Sequence, residues 1–131
     1  MKSIAVLSLL LLAAACATPP YDQPYAEIIA DRALSADPNV VPVILNRIDD
    51  RTTLYTDRAA VAPGSHQVTI DVPPRKGFHL ATQATVVMDA APCTRYYIAA
   101  RLDTPVTQEW QPLVRSIERI LECEQQFKAG R

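Results

Sequence analysis

The sequence has 131 residues, room for one domain and little else. Its 13 basic and 14 acidic residues leave a formal charge of -1, which disfavours nucleic acid as a partner because no basic field is present to attract it. Eleven prolines against three glycines argue against long unbroken helices and suit the turns and edges of a β-protein.

The chain opens with an export address. Lys2 is a minimal positive region, residues 4–12 are apolar apart from Ser8, and Ala13-Ala14-Ala15 place small residues before Cys16. This reads as a secretory signal peptide, shorter than the roughly 20 apolar residues that a membrane-spanning helix needs. Small residues directly before a cysteine resemble the lipobox of bacterial lipoproteins, although alanine stands at position 13 where leucine is usual. The resemblance implies cleavage before Cys16, a diacylglycerol on its sulfur and an acylated amino group. The alternative is ordinary signal cleavage after Ala15, with Cys16 an unmodified first residue. Ala17 follows in place of aspartate, which in enteric lipoproteins implies carriage to the outer membrane. Several acyl chains hold stably where one is marginal. Three prolines in residues 17–24 then make a semi-extended tether. The expected organisation is signal peptide 1–15, lipidated N-terminus and tether 16–24, β-domain 25–123 and tail 124–131.

Within the domain, residues 25–32 fit a strand or a short helix, and strand is preferred. Residues 40–48 are apolar on both faces, the pattern of a covered central strand, with Pro42 at its start or at a bulge. A turn at Asp49-Asp50-Arg51 leads to a shorter strand over residues 52–58, and Pro63-Gly64 supplies the residues of a type II turn. His66, Val68, Ile70 and Val72 then alternate on a dry face against Gln67, Thr69 and Asp71 on a wet one. Residues 40–72 therefore read as a three-stranded antiparallel meander. Alternation returns from Phe78 to Met88, and it is clearest where Tyr96, Ile98, Ala100 and Leu102 alternate with Arg95, Tyr97, Ala99 and Arg101. From Trp110 onward, helical and strand periods both fit, and strand is chosen. Six to seven short strands point to an all-β fold, a small antiparallel, Ig-like β-sandwich.

Residues 61–70, from Val61 through Pro63-Gly64 and His66 to Ile70, resemble the hairpin entry of PEGA-type domains, small envelope-associated β-sandwiches. The block Cys93-Thr94-Arg95-Tyr96-Tyr97-Ile98, with Trp110-Gln111-Pro112 and Cys123 after it, is similar to uncharacterised proteobacterial envelope lipoproteins. Both resemblances imply architecture and location. Neither implies a catalytic role.

Cys93 and Cys123 remain once Cys16 is lipidated, and an even pair in an oxidising compartment is expected to form a disulfide. A metal-binding or reactive thiol is the competing reading, without a C-x-x-C pair to support it. His66 falls on a dry face and His79 on a wet one, so a shared zinc ion is disfavoured. Asp49-Asp50 is read as turn chemistry, its carboxylates bonding nearby backbone N–H groups. Tyr96, just after the Pro92 corner, is a candidate to bond back to that turn. No nucleophile elbow, phosphate loop or zinc motif stands in the sequence, and no catalytic residue, metal ligand or cofactor is assigned. Tyr55, Tyr97 and Trp110 are candidates for a partner-binding patch, with core packing the leading role for Trp110. The expected protein is a non-enzymatic lipoprotein, held to the periplasmic face of the outer membrane through Cys16 and binding an envelope protein or glycan. An inhibitor or sensor of an envelope hydrolase such as lysozyme is the alternative. A metal-dependent hydrolase comes last.

Overall fold

The structure, a computed structural model, describes residues 22–32, 35–53, 56–73, 82–104 and 109–128. It is an all-β sandwich of two sheets with one short helix at its C-terminal end. The strands are β1 (Ala26–Ala30), β2 (Val40–Val41), β3 (Ile44–Ile48), β4 (Arg51–Thr52), β5 (Arg58–Val61), β6 (Gly64–Val72), β7 (Thr82–Ala90), β8 (Thr94–Leu102) and β9 (Trp110–Arg119), followed by α1 (Leu121–Lys128). β2 and β4 have only two residues each, which leaves seven longer strands among the described residues.

One sheet places β8 at its centre, with β9 along one side and both β1 and β2 along the other; β5 extends the sheet beyond β1. The other sheet runs β4-β3-β6-β7. Pairing is antiparallel except between β1 and β8, where Glu27 to Ala30 run parallel to Arg95 to Ile98. β1, preferred as a strand in the sequence, is clamped on both sides, and Ala26 and Ile28 have no exposed surface.

Between the sheets the alternating residues interlock as read from their period. Val68, Ile70 and Val72 of β6 meet Tyr96, Ile98 and Ala100 of β8, with Ile28 from β1 and Leu45 from β3 completing the centre. On β7, Met88 is buried and Val87 is 64% exposed, the strict alternation of a half-covered strand. Tyr96 is buried, and its hydroxyl accepts the Ala91 N–H at 2.8 Å, the corner bond expected of it.

Three expectations change. Residues 40–48 are not one strand: Val40 and Val41 pair with β8, and after Pro42 the chain crosses to the other sheet, where β3 pairs with β6. Pro42 has no N–H to donate, so it interrupts a ladder at a point where the chain leaves it anyway. The apolar character on both sides of this stretch reflects two sheets in turn, not one strand covered on both faces. The meander over residues 40–72 is likewise divided. β3 and β6 are neighbours, but β5 pairs with β1 in the opposite sheet, and the chain returns through a corner at Pro63. Gly64, at φ +124, occupies a backbone conformation that side chains disfavour and already pairs with Ala90 in β6. The short strand over 52–58 reduces to β4 and the start of β5; Leu54 and Tyr55 between them lie outside the described residues.

Trp110–Arg119 is a strand, as chosen, but most of the expected tail is helix. α1 carries Glu122 and Glu124 in its first turn and Lys128 in its last, charges that complement the helix dipole. It packs through Cys123 in a small second cluster with Cys93 and Ile120, flanked by Tyr25 and Phe127. Cys93 and Cys123 form a disulfide there, with Cα atoms 5.3 Å apart. Cys16 and the segment before it, the basic loop after Pro73, and His79 lie outside the described residues.

Candidate functional site

The richest grouping of polar chemistry lies where the outer strands of the two sheets, β4 and β5, face each other. A cavity of about 430 Å³ opens between them, lined by Asp49, Arg51, Thr52, Thr53, Thr56, Arg58 and His66, with Ile48 and Val61 among its apolar members. Backbone turns build it. Asp49 adopts φ +52, a left-handed conformation that aspartate tolerates better than most residues, and this turns the chain from β3 into β4.

Asp49 is fixed from three directions. Its N–H donates to Gln67 O at 2.8 Å, its Oδ1 accepts the Gln67 N–H at 2.9 Å, and its Oδ2 meets His66 Nδ1 at 2.7 Å. The local turn bonding expected of this aspartate is therefore replaced by bonds to a strand 18 residues away. His66, on the dry side of β6 as its position in the alternation requires, keeps 13% of its side chain exposed. Its Nε2 sits 2.5 Å from the carbonyl oxygen of Ala62.

A carboxylate and a carbonyl can only accept, so both bonds form together only when both ring nitrogens donate, an arrangement that favours the imidazolium form of His66. Partial burial works against that charge. The bond to Asp49, the Ala62 carbonyl and the charge of Asp49 outweigh it and raise the His66 pKa above its ordinary 6.5. In turn, the hydrogen bond from His66 and the Gln67 N–H hold the Asp49 carboxyl below its ordinary 3.8.

The sign of the pH dependence follows. A raised histidine pKa gives stability that is complete below 6.5 and lost as pH rises through the folded-state value. A lowered aspartate pKa gives stability present above 3.8 and lost as pH falls through the folded-state value. The pair is therefore strongest between those two ordinary values. In an imidazole NMR titration, native His66 is expected to titrate at higher pH than in the urea-unfolded chain, and D49N is expected to bring its midpoint down. A native midpoint at or below the unfolded one would contradict the double-donor arrangement.

As chemistry, the arrangement immobilises. A histidine that relays protons keeps one nitrogen free for a nucleophile or a water, and here both are occupied by the protein itself. Among the described residues no cluster of three histidine, cysteine or acidic side chains is arranged to hold a metal.

Of the partner-binding candidates, Tyr97 and Trp110 do not share a face of their sheet. Tyr97 lies on the outer face of its sheet, and its hydroxyl donates to Glu118 Oε2 at 3.1 Å. That bond adds to a surface network in which Arg95 Nε donates to Glu27 Oε2 at 2.7 Å and Arg95 Nη1 lies 3.5 Å from Glu118. Trp110 is half-buried against the core cluster, the packing role preferred for it. Tyr55 falls outside the described residues. The Asp49–His66 pair had one legible trace in the sequence, a histidine on the dry side of a strand, because such a group requires a partner. Arg51, Arg58 and the threonines beside them carry no such trace.

A second hollow of about 380 Å³ lies beside the disulfide, lined by Pro24, Pro92, Cys93, Arg119, Glu124, Phe127 and Lys128. Its arginine is already taken up, since Arg119 grips Glu124 through Nε at 2.8 Å and Nη2 at 2.6 Å. The cavity between β4 and β5 is the stronger candidate because its cations are less committed. No protein-family model, curated protein or solved structure matches the chain. Fold and site together define a class, a disulfide-closed two-sheet β-sandwich with a cationic cavity at one edge.

Proposed function

We propose that this chain is a non-enzymatic lipoprotein of the bacterial envelope, anchored at the outer membrane through Cys16 and presenting a β-sandwich to the periplasm, where it binds another envelope component. The observation that carries the non-catalytic part is the locking of His66 at both ring nitrogens, which leaves the best acid–base candidate without a free position. The anchored part is supported by Ala13-Ala14-Ala15-Cys16 and the proline-bearing tether. The paired Cys93 and Cys123 accord with an oxidising compartment. Likeness to PEGA-type domains and to proteobacterial envelope lipoproteins belongs to the same reading.

Intact mass of the protein extracted from membranes tests it, taken with and without reduction and thiol alkylation. The expected chain begins at Cys16, carries acyl groups, and takes up alkylating reagent at two thiols only after reduction. An unlipidated chain, or one retaining residues 1–15, would remove the anchor from the proposal.

A further inference from the structure

We propose that the cavity between β4 and β5 is a binding site for an oxyanion, a carboxylate or phosphate group borne by the component that the domain recognises. This rests on reading the domain as a binding module and adds the chemistry of what it holds. Three features of the cavity support it.

The first is charge. Arg51, Arg58 and the His66 imidazolium line the cavity against a single carboxylate, Asp49, whose two oxygens are already engaged by His66 and the Gln67 N–H. A protein of formal charge -1 thus concentrates positive charge at one opening.

The second is the state of the two arginines. Five others are matched to carboxylates: Arg32 with Asp57 at 2.7 Å, Arg95 with Glu27 at 2.7 Å, Arg101 with Asp37 at 3.6 Å, Arg115 with Asp31 at 2.8 Å and Arg119 with Glu124 at 2.6 Å. For Arg51, no acidic side chain lies within ion-pair distance among the described residues. The nearest for Arg58 is Glu27 Oε2 at 4.0 Å, an oxygen that Arg95 holds far more closely. The guanidinium fork matches a planar carboxylate or a phosphate with paired N–H donors. Because Arg51 and Arg58 come from different sheets, such a group would bridge the sandwich edge.

The third is Thr53. Its Oγ1 is buried in the cavity wall and has no hydrogen-bond partner among the described residues. An unbonded buried hydroxyl costs about 1 to 3 kcal/mol, and rotation of the Thr53 side chain toward the cavity would let a bound oxyanion satisfy it. Arg47 is also without an acidic partner among the described residues, but it stands exposed on β3 and does not line the cavity.

The test follows thermal unfolding of the full chain in neutral detergent at pH 6, titrated with inorganic phosphate or with acetate and with chloride holding ionic strength constant. Wild type is expected to show a saturable rise in midpoint, about 5 °C at tenfold excess over the dissociation constant. The R51Q/R58Q variant is expected to lose that rise; both positions are exposed, so the fold should not depend on them. A response to phosphate alone assigns a phosphoryl group, and a response to acetate alone assigns a carboxylate.

Phosphate also stabilises proteins generally by exclusion from their surface. A rise undiminished in R51Q/R58Q would therefore overturn the site, as would no saturable rise with either probe. A lipidated chain that fails this titration loses the oxyanion site and keeps the envelope reading. A chain that binds phosphate without carrying lipid keeps the site and loses the anchor.

Discussion

Replacing Cys93 and Cys123 with alanine is expected to lower the free energy of unfolding by about 3 to 4 kcal/mol, the entropic effect of opening a loop of this size. The bond closes a sequence separation of 30 residues. Against the roughly 5 to 15 kcal/mol by which domains are stable, that is a large fraction. More than chain entropy is involved. The Cys93 N–H donates to Tyr25 O at 2.7 Å, and the Cys93 carbonyl accepts the Ile120 N–H at 2.9 Å, so the start of β1, the entry to β8 and the entry to α1 meet at one point. Cys123 is the buried residue of α1, and an eight-residue helix has little stability of its own. Urea unfolding with and without reductant measures the loss, and limited proteolysis should then cut first within α1. A double variant with an unchanged midpoint would mean that the small cluster around Ile120 holds this end without the bond.

Truncating Ile70 to alanine is the second large effect, about 2 to 5 kcal/mol from lost transfer energy and the cavity left behind. Ile70 is fully buried at the centre of the sandwich, paired with Leu45 on one side and Ala84 on the other. The control is Val87→Ala on the neighbouring strand, where 64% of the residue is already exposed and a change within about 0.5 kcal/mol is expected. Denaturant midpoints for the two variants decide it. Equal losses would mean that the wet and dry faces of the β6–β7 pair have been misassigned.

The strands that could be read from the sequence share one property: a single face turned to the core. β6 and β7 keep strict alternation, so their buried residues were readable without any partner, whereas β8 keeps it only in part, since Ala99 is buried between Ile98 and Ala100. β5 has no such contrast. Arg58-Ala59-Ala60-Val61 is small and uniformly half-buried after its first residue, and nothing local tells it to join β1 and not the adjacent β6. Residues 40–48 misled for the opposite reason, since continuous apolar character is shared by one covered strand and by two short strands that serve different sheets. Between Leu45 and Arg47 the register with β6 also shifts, which the period of two cannot anticipate. The disulfide was legible from cysteine parity together with the export expected from the N-terminal residues. The cavity was not, because arginines and threonines in β4 and β5 look like any solvated edge until the two sheets are stacked.

β1 lies between β5 and β8, and its parallel partner strand begins only at Thr94. Glu27 and Arg95, bonded across that pair, are 68 residues apart. Contacts of such separation slow folding, because the intervening chain must be gathered before the contact can form, and all-β domains of this kind fold in milliseconds to seconds. The first strand to be synthesised is thus among the last to be secured. Until β8 has emerged, β1 lacks its inner neighbour and the apolar Ile28-Ile29 pair remains open to other chains. A strand from another chain that paired with β1 in that interval would hold the domain short of its fold.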